Sequence, residues 1–551
     1  MKKVKILVLI GGDARFHDFQ GCGKILKDFL EASGKFEVEL TENRNVLVSD
    51  RLKSKDACLF YTHGEIDTEC AGKKLTQEEE NALLSFVKNG GGFVGIHCAS
   101  IFKGNKDYLE MLGAMFITHS PFEEFSVNIT NHENMITKRL QDFSIKDELY
   151  ILDYDPSVQV LATAMWQGKP QPVVYLKEYG KGKVGYIALG HNADALLNPF
   201  FQKLLVRTVS SVCGFRERKP VNCAVIGYGG AFNMGKYHLD LINATPGLKG
   251  IAACDIDFRR MEVAQKDFPG IKTYTDYKDL LKNREVELIV VITPHNTHAP
   301  IAMDCLNAGK NVVIEKPMCI TIREATDLIR TAKKNRVMLS VFHNRRWDGD
   351  YLTIEEVVKK GMIGDIFHIE IFIGGYGHPG FWWRSDKKIS GGAFYDWGAH
   401  MIYWTLGLIP SRIKNVVGFF HKRRWHSVTN EDQCQAIIRF ENGAYADIQV
   451  SSIASIGKPR WRILGEKGGI IDEWGKSSFR LNTTVHGVWA EMEIKYKPSQ
   501  HGNYYANIAD HLILGEPLAI TPESARRVIA VIETAEKSSK NGEALPVPYE
   551  R

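Results

Sequence analysis

An apolar strand signal, Val221–Ile226, runs directly into Gly227-Tyr228-Gly229-Gly230-Ala231-Phe232-Asn233-Met234-Gly235, and a helical pattern follows from Lys236. This order confines the segment to a doubly wound α/β arrangement, in which glycines let the backbone approach a pyrophosphate held at a helix N-terminus. The third glycine comes three residues later than in the tight GxGxxG spacing, so the loop alone is a weak signal. A second apolar strand, 250–254, ends at Asp255, whose carboxylate suits both ribose hydroxyls and repels a 2′-phosphate. NAD is therefore the expected cofactor, while Arg259 and Arg260 keep NADP open.

Two further segments carry chemistry. The apolar run Asn311–Ile314 reads as a buried strand, so Lys316 of Glu315-Lys316-Pro317 emerges at the end of a sheet beside whatever binds there. In GGAFYDWGAH, residues 391–400, Asp396 and His400 lie four apart, where a helix would let the carboxylate orient the imidazole. A lysine, a histidine and an aspartate suit oxidation of an alcohol, whose proton and hydride leave separately. Tyr376, Trp382 and Trp383, with Arg384 beside them and Gly374, Gly375, Gly377 and Gly380 around them, fit a platform for a sugar ring. The bland alternative is the packed base of a loop. Asn296 and His298, after Ile292-Thr293-Pro294, either position backbone near the nicotinamide or cap a helix beginning near Ala299.

Taken in order, these motifs resemble the Gfo/Idh/MocA oxidoreductases over roughly residues 220 to 551. The resemblance implies a Rossmann domain, 221–342, followed by an α+β domain, 343–551, whose large open, mostly antiparallel sheet carries the substrate. By motif match, Lys316, Asp396 and His400 take the catalytic roles. Gly227, Gly229, Gly235, Asp255, Thr293, Pro294, Asn296, His298, Glu315 and Lys316 form the cofactor site. Family members often carry another acid three residues after the histidine; here Tyr403 stands there, as a candidate substrate contact with Tyr376, Trp382, Trp383 and Arg384.

A chain of 551 residues is too long for one core. A boundary is expected at 213–220, a charged stretch between a glycine and a proline, with 1–213 as one domain and 214–220 as linker. Upstream, strand and helix signals alternate (4–10, 22–32, 57–61, 77–88, 92–96), as in another doubly wound domain of flavodoxin-like type. His17, His63, His97 and His191 each follow an apolar strand, so an open parallel sheet would bring them to one crevice, with His119 and His132 as further candidates. Such a cluster can bind a transition metal or shuttle protons, and single strand-end histidines also serve as ordinary core residues; metal is left open.

The motifs Tyr61-Thr62-His63-Gly64, Gly92-Phe93-Val94-Gly95-Ile96-His97, Asp147-Glu148-Leu149-Tyr150 and Leu189-Gly190-His191 resemble the ThuA-like trehalose-utilisation family. That family is similar in fold to class I glutamine amidotransferases, whose nucleophilic cysteine sits on the turn where this chain has His97, with Cys98 one step on; amidotransferase chemistry is not expected. The pairing of the two families implies carbohydrate metabolism and sequential handling of a keto-sugar. Three alternatives stand beside simple dehydrogenation: a glycosidase or epimerase that retains NAD through turnover, a non-catalytic sugar-binding or oligomerising N-terminal module, and a regulator with a vestigial dehydrogenase fold.

A net charge of +5 over 551 residues, with no basic cluster among aromatics, excludes a nucleic-acid reader. Ten cysteines without a CxxC pair, several in apolar strands, read as reduced thiols of a cytoplasmic protein. The N-terminal MKKVKILVLIGG reads as a first strand rather than a signal peptide, and no apolar run reaches membrane-spanning length. A small carbohydrate is the expected partner, and the β-rich stretch 366–496, as an open sheet, favours a homo-oligomer, dimer or tetramer.

Overall fold

The computed structural model describes residues 3–63, 74–102, 104–215 and 219–550; Gly64, Cys70 and, within the expected linker, Arg216, Glu217 and Arg218 lie outside the described residues. The chain forms two compact units, Met1–Lys219 with Ile513–Pro517, and Pro220–Leu512 with Leu518–Arg551.

The first unit is built on a nine-stranded sheet. Its parallel part runs, across the sheet, Phe36–Thr41, Val4–Gly11, Ala57–Thr62, Gly92–Ile96 and Gly182–Ile187. Counted along the chain that is the flavodoxin-like order 2-1-3-4-5, which places a crevice at the carboxyl ends of the central strands. Ala57–Thr62 and Gly92–Ile96 are buried at every position, because helices cover both faces of such a sheet. The covering helices start on side-chain caps: Asp18 accepts from Gly21 N–H, Thr76 and Glu79 form a reciprocal capping box, and Asn198 accepts from Phe200 N–H. Four antiparallel strands, Lys169–Tyr179, Gln159–Trp166, Glu123–Ile129 and Phe143–Asp147, extend the sheet beyond the doubly wound part, and nothing in the strand–helix alternation anticipates them.

In the second unit six parallel strands take the order Lys272–Tyr274, Leu248–Cys254, Val221–Ile226, Leu288–Val291, Asn311–Ile314, Leu339–Val341. This is the Rossmann order 3-2-1-4-5-6, with its switch point between Val221–Ile226 and Leu288–Val291. An eight-stranded sheet follows, antiparallel except where Ile366–Gly374 pairs with Tyr445–Ser451. Helices Trp397–Leu408 and Pro522–Asn541 pack against it, and Pro522–Asn541 also packs on helix Ile322–Asn335 and strand Leu339–Val341 of the Rossmann part. One continuous hydrophobic core therefore runs from Ala224 and Ile289 through Ile329 and Val531 to Ile438 and Trp461. No helix among the described residues is long and apolar enough to cross a membrane.

Candidate active site

The glycine loop explains its own composition. Gly227 has φ +104°, and a Cβ there would lie 2.2 Å from the Ile292 carbonyl oxygen, so only glycine fits. A Cβ on Gly235 would come within 2.7 Å of the Gly227 oxygen, whereas one on Gly229 would meet nothing within 4 Å. The first and third glycines thus bring the turn and helix Met234–Ala244 together, and the middle one leaves open space at the helix start, the shape a pyrophosphate needs. The extra residues of the loop carry Phe232 outward, where its ring meets Trp382 at 5.7 Å and the Arg384 guanidinium at 4.9 Å.

Asp255 sits at the end of the second strand, accepting from Tyr228 N–H at 2.6 Å and Asp257 N–H at 3.0 Å. The next helix is capped by Asp257, so capping is not what Asp255 does. Arg259 pairs with Asp257 at the surface, while Arg260 donates to the Tyr228 carbonyl at 2.7 Å and lies beside Gly230.

Glu315 fixes the turn that follows the fifth Rossmann strand. One of its oxygens accepts from Lys316 N–H at 2.8 Å, and the other faces His238 Nε2 at 3.2 Å. A carboxylate can only accept, so His238 carries its proton on Nε2, and its Nδ1 accepts from the Tyr505 hydroxyl at 2.7 Å. Burial works to raise the Glu315 pKa, and the His238 bond, the Lys316 charge and the Lys316 N–H together more than offset it, leaving the group below its ordinary value. Both Glu315 oxygens meet protein groups, which fix the turn that carries Lys316.

Lys316 Nζ lies 2.5 Å from Asp396 Oδ1, and Arg384 reaches the same oxygen at 2.8 Å. The expected bond from Asp396 to His400 is not formed. The helix begins at Trp397, and Asp396, at φ −80° and ψ −85°, is its N-cap, so the side chain leaves the face on which an i,i+4 contact forms and turns to the two cations instead. Burial resists ionisation of Asp396, and Lys316 and Arg384 overcome it, holding the carboxyl well below its ordinary range.

His400 is buried, with its ring centroid 5.8 Å from Trp397, 6.0 Å from Trp404 and 6.1 Å from His343. Burial, then the nearby charge of Lys316, pushes its pKa well below the usual histidine value, so the ring is neutral. His343, which the sequence reading passed over, is buried at the end of the sixth Rossmann strand, stacked on Tyr403 at 4.4 Å with Nδ1 unpaired. Its signal was the same as that of the other strand-end residues: a polar residue directly after the run 337–342, which is apolar except for Ser340.

Helix His295–Asn307 starts four residues before the expected Ala299, with Pro294 as its N-cap. Asn296 is exposed on its first turn, and His298 sits between the carbonyls of Thr293 at 2.7 Å and Pro317 at 2.8 Å, tying the two strand-end turns together. Thr293 bonds Thr297 through their hydroxyls. His295, also missed, donates to Ser390 O at 2.8 Å and meets Trp383 edge-on at 4.8 Å. Trp382 and Trp383 flank the Arg384 guanidinium at 5.4 and 5.0 Å. Tyr376 does not join them; its ring packs on Trp425 at 5.8 Å.

Burial takes both His295 and His343 from 6.5 to about 3. The unfolded chain protonates these rings below its ordinary histidine pKa and the folded one does not, so their contribution to stability is full above about pH 6.5 and is lost as pH falls toward 3. Each ring contributes a slope of about 1.4 kcal/mol per pH unit in that window, so urea midpoints at about pH 5 are expected well below those at about pH 7; equal midpoints would show the rings to be solvated.

In the first unit, ring nitrogens of His17, His97 and His191 all lie within 4.8 Å of one another. His63 stands beside them, 6.5 Å from the His17 ring, with Nε2 accepting from Asp13 N–H at 2.8 Å. His119 is tied to Ser120 O at 2.7 Å and lies 3.7 Å from Glu148, and His132 lines a surface cavity with Asn131, Tyr154 and Pro170. Cys98 is buried behind His97, and burial pushes its thiol far up, which disqualifies it as a nucleophile.

Known protein families match both units. Residues 5–210 match the ThuA family model, trehalose utilisation; 221–343 match the oxidoreductase family with NAD-binding Rossmann fold; and 351–471 match the Gfo/Idh/MocA C-terminal domain. A scyllo-inositol 2-dehydrogenase (NADP(+)), IolW, from Bacillus subtilis (strain 168) is 29% identical over 370 residues, covering 61% of this chain and 98% of its own. The uncharacterized oxidoreductase C115.03 of Schizosaccharomyces pombe is 30% identical over 326 residues, 55% of this chain and 84% of its own. The crystal structure of an NAD-binding protein from Listeria innocua, 28% identical, superposes with a TM-score of 0.54 over 60% of this chain and 97% of that one. The chain belongs to the Gfo/Idh/MocA oxidoreductases, with a ThuA domain preceding the dinucleotide-binding fold.

Proposed function

We propose that the protein is an NAD-dependent dehydrogenase acting on a secondary hydroxyl of a sugar or glycoside, forming or reducing a keto-sugar that the ThuA domain then processes or binds. The observation that carries this reading is the convergence of Lys316, neutral His400 and the Arg384–tryptophan platform on the carboxyl ends of the Rossmann strands. The dinucleotide, for which the glycine loop leaves room, supplies the hydride acceptor when bound. His400 takes the hydroxyl proton as general base. The Lys316 ammonium lowers the alcohol pKa and stabilises the developing alkoxide. Asp396 holds Lys316 and Arg384 in place, a different task from orienting His400. Trp382 and Trp383 stack on the sugar ring, and Tyr403, backed by His343, meets a neighbouring hydroxyl.

Asp255 supports NAD, while Arg260, beside the glycine loop, and the NADP(+) named for the Bacillus relative keep NADP in the test. The division into 1–213, 221–342 and 343–551 is retained as a division of labour. Exposed Phe419, Val488 and Trp489 on the outermost strands of the eight-stranded sheet support a dimer or tetramer, and the unbonded cysteines among the described residues support a cytoplasmic setting.

The histidine cluster of the first unit favours a second reading, in which the oxidised sugar is transformed before the cofactor is released and net redox change is zero. Purified protein is to be incubated with NAD or NADP and a panel of glucosides, disaccharides and inositols, following NADH and products together. Net NADH with a keto-product is the expected result. Conversion without net NADH would move the assignment to a glycosidase or epimerase with retained cofactor, and no conversion of any polyol or sugar would overturn the proposal.

A further inference from the structure

We propose that His17, His97 and His191 form a three-imidazole site for a divalent transition metal in the first unit, with coordination positions left open for a hydroxyl or carbonyl oxygen. The three residues come from three separate loops at the carboxyl ends of the parallel strands, the crevice in which open α/β sheets place their ligands. Their ring centroids stand 4.8 to 5.5 Å apart, and one nitrogen from each lies within 4.8 Å of the others.

The hydrogen bonds select which nitrogens are offered. His97 Nδ1 lies 2.8 Å from Ala188 O and His17 Nδ1 lies 3.1 Å from His191 O. A carbonyl only accepts, so both Nδ1 atoms carry the proton and both Nε2 atoms present a lone pair. His97 Nε2 is wholly buried and has no hydrogen-bond partner, an arrangement that is unfavourable unless something else binds the lone pair. His191 Nδ1 lies 3.1 Å from Glu148 Oε2, at ion-pair distance but off the line of a hydrogen bond. Backbone carbonyls behind imidazoles are among the partners that fix ring orientation and raise basicity at metal sites.

The surrounding backbone is arranged to aim these rings. His97 has φ +43°, in the left-handed region, a conformation that a residue with a side chain keeps only where its surroundings impose it. Tyr150 lies against its ring at 3.8 Å. The loop carrying His191 is held by Asp147, which accepts from Gly190 N–H at 2.7 Å and His191 N–H at 3.1 Å, and by the Tyr61 hydroxyl, which donates to Gly190 O at 2.9 Å. His63 falls outside this set, and its Nε2 accepts from Asp13 N–H.

Three neutral nitrogen donors, with no carboxylate or thiolate among them, select zinc, cobalt, nickel or copper over magnesium or calcium. Three protein ligands leave zinc at least one open position, as in catalytic rather than structural sites, and the full charge of the ion remains available to polarise an oxygen. Metal binding in this unit does not depend on the dehydrogenase reading of the other.

The full-length protein, stripped with a chelator, is to be titrated with Co2+. The expected result is a visible d–d spectrum that saturates at about one ion per chain and is displaced by Zn2+. His17→Ala and His97→Ala should each weaken binding at least about tenfold, with His132→Ala unchanged and circular dichroism with urea unfolding as the folding control. X-ray absorption on the wild-type zinc or cobalt form needs no variant and should show imidazole nitrogens at about 2.0–2.1 Å. A spectrum no different from that of Co2+ in buffer, undiminished binding in both histidine variants, or a shell without imidazole would each overturn the proposal.

Discussion

Replacing Lys316 with alanine is expected to lower kcat/KM for the sugar substrate by about 10³–10⁴-fold, since both the electrostatic stabilisation of the alkoxide and the shift in alcohol acidity depend on this cation. The fold should survive, because Asp396 keeps its second partner, Arg384, at 2.8 Å. The pH profile supplies a separate signature. Burial lowers the His400 pKa most and Lys316 next, so removing the lysine raises it, and the acidic limb of the residual activity moves to higher pH. Steady-state kinetics across pH, with circular dichroism as the folding control, read both effects. A loss of less than about tenfold would remove Lys316 from the chemistry.

The second large effect is expected at Gly227→Ala. The residue sits at φ +104°, and the added Cβ would lie 2.2 Å from a backbone oxygen of the neighbouring strand's turn, which has no freedom to move aside. Strain and overlap together predict a loss of about 3–5 kcal/mol, with severely weakened dinucleotide binding in whatever folded protein remains. Gly229→Ala is the matched comparison: with nothing within 4 Å of its Cβ, it should fold normally and impair dinucleotide binding alone. Urea denaturation and titration with NADH separate the two. Equal stability of both variants would mean that the loop relaxes around the extra methyl group.

The parts of this molecule that short sequence spacing records were legible: the strand–glycine–helix entry to the Rossmann fold, Lys316 at a strand end, and the alternation behind the flavodoxin-like sheet. Contacts decided by one backbone conformation were not. Asp396 and His400 have the spacing of a helical pair, but the helix starts one residue too late for Asp396 to use it, and its true partners are 80 and 12 residues away in the chain. The same limit applies at His63, which has the strand-end placement of its neighbours yet is diverted by a single backbone N–H from Asp13. His343 and His295 were hidden because a lone histidine after an apolar run reads equally as core or site, and only the packing of Tyr403 and Trp383 separates the two. The antiparallel extension of the first sheet was invisible for another reason: long-range pairing leaves no local periodicity distinct from that of any half-buried strand.

The last long helix, Pro522–Asn541, packs on the eight-stranded sheet and on the Rossmann helix Ile322–Asn335, and Ile322 N–H donates to Glu533 within it at 2.7 Å. A chain whose final helix closes the core of its nucleotide half cannot be cut between the two halves without opening both. A site at the carboxyl ends of the Rossmann strands, as proposed for dinucleotide and sugar, would consequently lie within one body rather than at a hinge between modules. New specificity in such a body must come from the loops at its mouth, Phe232 and Trp382 among them, rather than from the exchange of one half for another.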